Sequence, residues 1–157
     1  MWKKFKPYVI SILIALALGG LSALLTKGNM DIYSQIVKPK LAPPGFIFPI
    51  VWSVLFTLMG ISSALVYIKA SEANTIQKTG LGVYGLQLAV NFFWSILFFN
   101  FQAFLFSFLW LILLWILIAI MIIRFYKISP VAAYLQIPYL LWVTFAGYLN
   151  LMIYMLN

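Results

Sequence analysis

The chain alternates between five long apolar runs and short polar segments. The runs cover about residues 8–26, 45–68, 79–99, 103–125 and 130–156. Each run is close to the roughly 20 apolar residues that a helix needs to cross a bilayer. Since little is left for a water-soluble domain, the pattern predicts an all-α membrane protein, with residues 1–157 forming one five-helix transmembrane bundle. We expect the long 27–44 connection to fold over one mouth of the bundle, with an ordinary solvated loop as the alternative.

The second run combines a candidate ligand wall with a packing surface. Because proline suits the entry and first turn of a helix, Pro43 and Pro44 predict a helix that begins near Gly45. Gly60 and Ala64 lie on one flank and are small enough to let another backbone come close. An adjoining face is aromatic and ends in a polar residue. With 3.6 residues per turn, its members are Phe48, Trp52, Phe56, Met59 and Ser63.

The third and fifth runs each gather amide and aromatic side chains on one face. Polar groups inside a membrane are costly unless they are partnered, so the amides either line a cavity or join helices. In the fifth run Pro138 predicts a kink, and Tyr139 and Asn150 could simply satisfy backbone groups that the proline frees. The two faces consist of Tyr84, Gln87, Asn91, Trp94, Ser95 and Phe98, and of Tyr139, Trp142, Ala146, Leu149 and Asn150.

The first run is predicted to be a scaffold helix, and the fourth is predicted to face lipid. The fourth is almost uniformly apolar, which predicts the most lipid-exposed helix, with Trp110 and Trp115 as packing or lipid-facing residues. Away from the amide face of the third run, Gly82, Gly85 and Ala89 predict a homodimer contact, with packing inside the chain as the alternative. The first run carries a face of small residues, typical of tight packing, formed by Ala15, Gly19, Ser22 and Thr26.

Composition narrows the function classes. The 157 residues are 66% hydrophobic and 8% charged, and they include neither cysteine nor histidine. Disulfides, thiolate nucleophiles, imidazole bases and the usual transition-metal ligands are therefore missing, and no metal site is predicted. The two acids, Asp31 and Glu72, fall in predicted loops, so the chain lacks paired carboxylates for acid–base catalysis and a buried acid for proton relay.

The basic residues predict an orientation rather than a nucleic-acid surface, because they are scattered over loops and helix ends. One side of the membrane has Lys27, Lys38 and Lys40. The other side has Lys3, Lys4, Lys6, Lys69, Lys78, Arg124 and Lys127. By the positive-inside rule, the N-terminus of this multi-pass cell-membrane protein is cytoplasmic, and the 27–44 loop and the C-terminus are outside. The first run is too long for a signal peptide and is expected to remain in the mature protein.

Short motifs recur in a fixed order along nearly the whole chain. They are Lys38-Pro39, Pro43-Pro44, Phe48, Val51-Trp52, Met59-Gly60, Tyr84, Gln87-Leu88, Asn91, Trp94, Phe98-Phe99, Pro138-Tyr139-Leu140, Trp142, Phe145-Ala146 and Leu149-Asn150. This ordered set resembles the tryptophan-rich sensory protein and translocator protein family, also called the peripheral-type benzodiazepine receptor family. The closing pattern PYLxWxxFAxxLN makes the resemblance specific.

The resemblance implies a usually dimeric five-helix bundle with a ligand cavity under the first loop. Family members bind porphyrins such as protoporphyrin IX, isoquinoline and benzodiazepine ligands and, in animals, cholesterol. The sterol motif needs a basic residue after its tyrosine, and Tyr154 is followed only by Met155, Leu156 and Asn157, so sterol binding is not expected here. Together with the helix faces, the resemblance predicts ligand contacts from Tyr33, Pro44, Phe48, Trp52, Phe56, Gln87, Asn91, Trp94, Tyr139, Trp142, Phe145, Ala146 and Leu149.

The predicted ligand is a large flat apolar molecule, held by ring stacking and apolar burial, whose polar atoms are oriented by Asn91 and Gln87. Because histidine is the commonest axial ligand of haem iron, its absence favours a metal-free porphyrin and no obligatory cofactor, with tyrosine or methionine ligation left open. The resemblance also implies light-dependent oxidation of protoporphyrin with Trp52 and Trp142 as electron donors, which leaves enzyme activity open. The alternatives are a porphyrin transporter and a sensor that signals through a partner.

Overall fold

Five membrane-length helices carry the fold, as the apolar runs predict. The computed structural model describes residues 2–72 and 80–157. Thr79, where the third span is predicted to start, and Lys78 before it lie outside the described residues. The helices are α1 (Trp2–Thr26), α2 (Ile32–Gln35), α3 (Ile47–Glu72), α4 (Leu81–Ser95), α5 (Phe104–Ile128), α6 (Pro130–Leu135) and α7 (Ile137–Leu156). Helices α6 and α7 together form the fifth span, and α2 is a short helix in the loop between α1 and α3. A 3₁₀ turn, Lys27–Asn29, follows α1, and a π-helical turn, Ile96–Asn100, follows α4.

Helices α1 and α3 approach closely at Gly60. A Cβ atom built on Gly60 would lie 2.5 Å from the Cα atom of Ile12 and 2.7 Å from its nitrogen, so a side chain there meets backbone. Ala64, one turn further along α3, is fully buried. The prediction that this flank admits another backbone is confirmed, and the absence of a side chain at Gly60 is what sets the distance between the two helices.

Helix α5 buries one face in the bundle and exposes the other, and it buries more residues than α1 does, so the prediction that it is the most lipid-exposed helix was wrong. It packs against α4, α6 and α7, and the indole nitrogen of Trp110 donates to the Val90 carbonyl oxygen of α4 at 2.6 Å. Helix α1 buries only Ala15, Ser22 and Thr26. Hydrophobicity could not separate the two helices because the interior of a membrane bundle is as apolar as lipid. The buried residues of α5 are Ser107, Leu111, Leu114, Leu117, Ile118, Met121 and Phe125.

The fifth span is broken, as Pro138 predicts. Helix α6 ends at Leu135, and α7 restarts after Gln136 with Pro138 in its first turn, where a missing backbone donor costs nothing. The Ser129 hydroxyl caps α6 by accepting from the Ala132 nitrogen at 3.3 Å. The Ser62 hydroxyl of α3 donates to the Ala132 carbonyl oxygen at 2.7 Å, so the break is tied to the bundle core.

The glycine face of α4 is not used for packing inside the described part of the chain. A Cβ atom built on Gly82 or Gly85 would meet nothing within 4 Å. Ala89 lies on the same exposed face. Among residues 2–72 and 80–157, the alternative of packing within the chain therefore fails for the two glycines, and the homodimer through this face stays a prediction.

Candidate functional site

A cavity of about 580 Å³ lies between α1, α3, α4 and α7, beneath the loop that joins α1 to α3. Its size falls in the range of pockets that bury small molecules, and its wall is mostly apolar. Aromatic rings on the wall come from Tyr33, Phe48, Trp52, Phe56, Phe92, Trp94, Phe98 and Phe99. Polar side chains on the wall come from Ser22, Asp31, Ser34, Ser53, Asn91, Ser95 and Asn150.

The structure brings most of the predicted ligand residues to this wall. Those that line the cavity are Tyr33, Phe48, Trp52, Phe56, Asn91, Trp94, Ala146 and Leu149. Those that do not line it are Pro44, Gln87, Tyr139, Trp142 and Phe145. Pro44 is exposed in the loop before α3. That the wall residues contact a ligand stays a prediction.

The two predicted electron donors occupy different places. Trp52 lies on the wall, with its ring 5.5 Å from Phe56 and 6.2 Å from Tyr139 between centroids. Trp142 lies behind Phe48, 5.8 Å between ring centroids, and also contacts Phe145 at 5.6 Å. The indole nitrogen of Trp142 is enclosed without a hydrogen-bond partner. Both tryptophans pack against the same core, so neither stands alone in lipid.

Below the cavity, a polar relay joins three helices in the membrane interior. The Asn91 amide nitrogen donates to the Tyr139 hydroxyl oxygen at 2.6 Å, and that hydroxyl donates to Gln87 Oε1 at 2.7 Å. Gln87 Nε2 lies 4.0 Å from the Met59 sulfur. Gln87 and Tyr139 are fully buried, so of these four residues only Asn91 reaches the cavity wall.

The cavity wall also contains residues outside the predicted ligand set. The small-residue face of α1 was interpreted as scaffold, but Gly19 lies on the wall, and a Cβ atom there would meet the Phe56 ring at 2.5 Å. Phe99 lies on the wall together with Phe98, and both belong to the π-helical turn. Helical spacing of 3.6 residues does not predict such a turn, which often marks functional sites.

The loop between α1 and α3 forms the roof of the cavity. The Tyr33 hydroxyl donates to the Pro43 carbonyl oxygen at 2.6 Å, and its ring meets Phe48 edge-on at 5.1 Å. The Lys38 ammonium donates to the Tyr33 carbonyl oxygen at 2.6 Å and stands 4.9 Å from the ring centroid. Burial raises the pKa of Tyr33, so its hydroxyl stays protonated and available as a donor.

Two asparagine contacts hold the loop to the bundle. The side chain of Asn157 pairs with the backbone of Val37, donating to its carbonyl oxygen at 2.9 Å and accepting from its nitrogen at 3.1 Å. Asn29 donates to Asn100 Oδ1 at 2.7 Å. The roof is thus held from α7 on one side and from the turn after α4 on the other.

Replacing Asn157 by alanine should loosen the roof. Two hydrogen bonds to Val37 are lost, each worth about 1 kcal/mol, so the loop opens more often. We expect trypsin to cut after the exposed Lys40 about fivefold faster or more, measured by gel and mass spectrometry on the purified chain. Gln35→Ala is the control, since Gln35 is exposed on α2. Equal cutting of Asn157→Ala and native protein would show that this contact does not hold the roof.

Comparison with known proteins gives consistent matches across the chain. The TspO/MBR family matches residues 11–156. The tryptophan-rich protein TspO of Chlorobaculum tepidum is 36% identical over 158 residues, covering 100% of this chain and 99% of that protein. Protein CrtK of Rhodobacter capsulatus is 36% identical over 125 residues, covering 80% and 78%. The translocator protein of Bos taurus is 34% identical over 136 residues, covering 85% and 80%.

Proposed function

Because this chain belongs to the TspO/MBR family, we propose that it is a membrane receptor whose cavity binds porphyrins, protoporphyrin IX above all, and flat ligands of the isoquinoline and benzodiazepine type. The observation that supports this most is the cavity of about 580 Å³, walled by aromatic rings from the roof, α3 and α4. A flat apolar ligand gains from ring stacking and from apolar burial in such a site.

The arrangement of the rings favours a planar ligand over a flexible chain. Trp94 and Phe98 stack at 5.2 Å with an interplanar angle of 28°, and Trp52 and Phe56 are tilted by 31°. Both pairs line the same cavity, one from α3 and one from the α4 end, so a planar ligand has rings to stack on at either side. The wall carries two amides. That of Asn150 is bonded to the Trp94 indole nitrogen and to the Phe104 carbonyl oxygen, so Asn91 is the amide that can orient polar atoms of the ligand.

Quenching of tryptophan fluorescence by protoporphyrin IX tests the proposal. We expect saturable quenching by the chain in detergent, because Trp52 and Trp94 lie on the wall and a bound porphyrin takes up their excitation energy. An unrelated membrane protein with tryptophans in the same detergent is the control, since porphyrins partition into micelles. Linear, non-saturable quenching equal to that of the control protein would count against a binding site.

Light-dependent oxidation of the bound porphyrin is a second proposed activity, favoured by the position of Trp52 on the wall and of Trp142 directly behind Phe48. Dioxygen is the oxidant: excited protoporphyrin takes one electron from an indole ring and passes it to dioxygen, which becomes superoxide. The indole radical then regains an electron from the porphyrin, so the net result is a porphyrin oxidised by dioxygen. In Trp52→Phe/Trp142→Phe, binding should remain within about threefold while product formation in light is lost, measured by absorbance and mass spectrometry. Dark and oxygen-free samples are the controls. Undiminished product formation by the double variant would end this idea.

Transport and signalling are weaker candidates for this chain. Some relatives carry the names translocator protein and sensory protein. Among the described wall residues Asp31 alone is charged, and it lies at the roof, so no charge in the membrane interior is available to couple transport. The proposal of a porphyrin receptor also includes three further predictions: a cytoplasmic N-terminus, a homodimer and no obligatory cofactor.

A further inference from the structure

We propose that Gln87 and Tyr139 are positioning residues that hold the Asn91 amide with its oxygen towards the cavity, so that the site prefers flat ligands carrying an N–H or O–H donor. This inference rests on the proposed function in taking the cavity as the ligand site. It assigns to Gln87 and Tyr139 a role that needs no contact with the ligand.

The hydrogen bonds of the relay run in one direction because the first group, the Met59 sulfur, can only accept a hydrogen bond. The Met59 sulfur can accept a hydrogen bond but has no proton to donate. Gln87 Nε2, at 4.0 Å, is therefore the end of the amide that faces Met59, and Oε1 faces Tyr139. Gln87 is fully buried, so water does not offer it another arrangement.

The Tyr139 hydroxyl has a single proton, so the residue to which it donates determines what its oxygen can do with the other neighbour. Tyr139 donates that proton to Gln87 Oε1 at 2.7 Å. Its oxygen can then only accept from its other neighbour, Asn91, whose Nδ2 lies 2.6 Å away. A carbonyl oxygen of Asn91 in that place would face the lone pairs of the hydroxyl oxygen and would be repelled.

The consequence appears at the cavity wall. With Nδ2 bound to Tyr139, the Oδ1 atom of Asn91 points away from the relay, and no side chain or backbone group among the described residues donates to it. It is not among the enclosed polar atoms without a partner, and Asn91 lines the cavity. The wall thus presents a hydrogen-bond acceptor in apolar surroundings, where a ligand donor gains most.

Turning the relay around is costly. The reversed order would place Gln87 Oε1 against the Met59 sulfur, so that two acceptors face each other in the membrane interior. A buried polar group without a partner costs more than an ordinary hydrogen bond contributes. The site therefore keeps one polarity whether or not a ligand is bound.

Two flat tricyclic probes that differ in one group test this preference. Carbazole carries an N–H donor, and dibenzofuran has nearly the same shape but carries an oxygen that can only accept. The full chain in detergent should bind carbazole about tenfold more tightly than dibenzofuran, measured by displacement of protoporphyrin IX so that both probes are shown to occupy the cavity. Equal affinities for the native chain would overturn the proposal.

Three substitutions in the relay should each change the preference for carbazole over dibenzofuran in a different way. In Gln87→Leu the Tyr139 hydroxyl loses its acceptor and can donate to Asn91 Oδ1 instead, which turns the amide nitrogen towards the cavity and makes dibenzofuran the better ligand. Asn91→Leu should remove the preference altogether. Met59→Leu keeps the volume but removes the sulfur acceptor, so it should reduce the preference even if Gln87→Leu fails to fold.

Gln136→Leu is the matched control. Gln136 is as fully buried as Gln87, but its amide has no hydrogen-bond partner among the described residues and lies outside the relay. The tenfold preference should survive this change, and its loss would mean that any buried glutamine matters, which contradicts the proposal. A native preference that persists in Gln87→Leu and Met59→Leu contradicts it too.

Failure of the inference is distinguishable from failure of the proposed function. Suppose that protoporphyrin IX binds saturably, but that carbazole and dibenzofuran bind equally or that neither displaces it. The relay then has no role in ligand selection, while the receptor function stands. If neither protoporphyrin IX nor the probes bind, the cavity is not a site for flat ligands and both proposals fall.

Discussion

Replacing Gly60 by alanine should lower the stability of the bundle by about 1–3 kcal/mol, the cost of forcing extra atoms into a packed interior. The new methyl group would lie 2.5 Å from the Cα atom of Ile12, and backbone atoms cannot move aside as a flexible side chain can. Helices α1 and α3 must therefore separate where Gly60 meets Ile12. Thermal unfolding in detergent, followed by circular dichroism, should show a midpoint lower by several degrees.

Gly147→Ala is the control for this change. Gly147 lies inside α7, and a Cβ atom there would meet nothing within 4 Å. Because alanine is a better helix former than glycine, this variant should be neutral or slightly more stable. If Gly60→Ala unfolds at the same temperature as Gly147→Ala, the close approach of α1 and α3 at Gly60 is not real.

Replacing Ala146 by phenylalanine should weaken protoporphyrin IX binding by about 100-fold or more. Ala146 is a small, buried residue on the wall where α7 meets the cavity. A phenyl ring there enters the space that the ligand would fill, and a loss of about 3 kcal/mol of packing at a central contact corresponds to this factor. The measurement is the saturable fluorescence quenching described above.

Ala17→Phe is the matched control, since Ala17 is exposed on α1 and does not line the cavity. It should bind as the native chain does. The phenyl ring of Ala146→Phe has the cavity to occupy, so its helix content and unfolding temperature should stay near the native values. Native affinity in a well-folded Ala146→Phe variant would place the ligand elsewhere.

The site could be predicted from sequence where it depends on a single helix face. Phe48, Trp52 and Phe56 repeat at helical spacing on α3, and all three line the cavity. The same logic failed for Gln87, which shares a face with Asn91 and yet lies below the cavity, inside the relay. A helix face shows which residues point inward, but not how deep the space in front of them extends.

The pattern of apolar runs by itself determined the five spans and the break at Pro138, because hydrophobic length and proline geometry are local properties of the chain. Only the tertiary structure decided that α1 is more exposed than α5, since protein interior and lipid are equally apolar. It also decided the direction of the relay from Met59 to Asn91. That direction depends on which donors and acceptors from three different helices come within hydrogen-bonding distance.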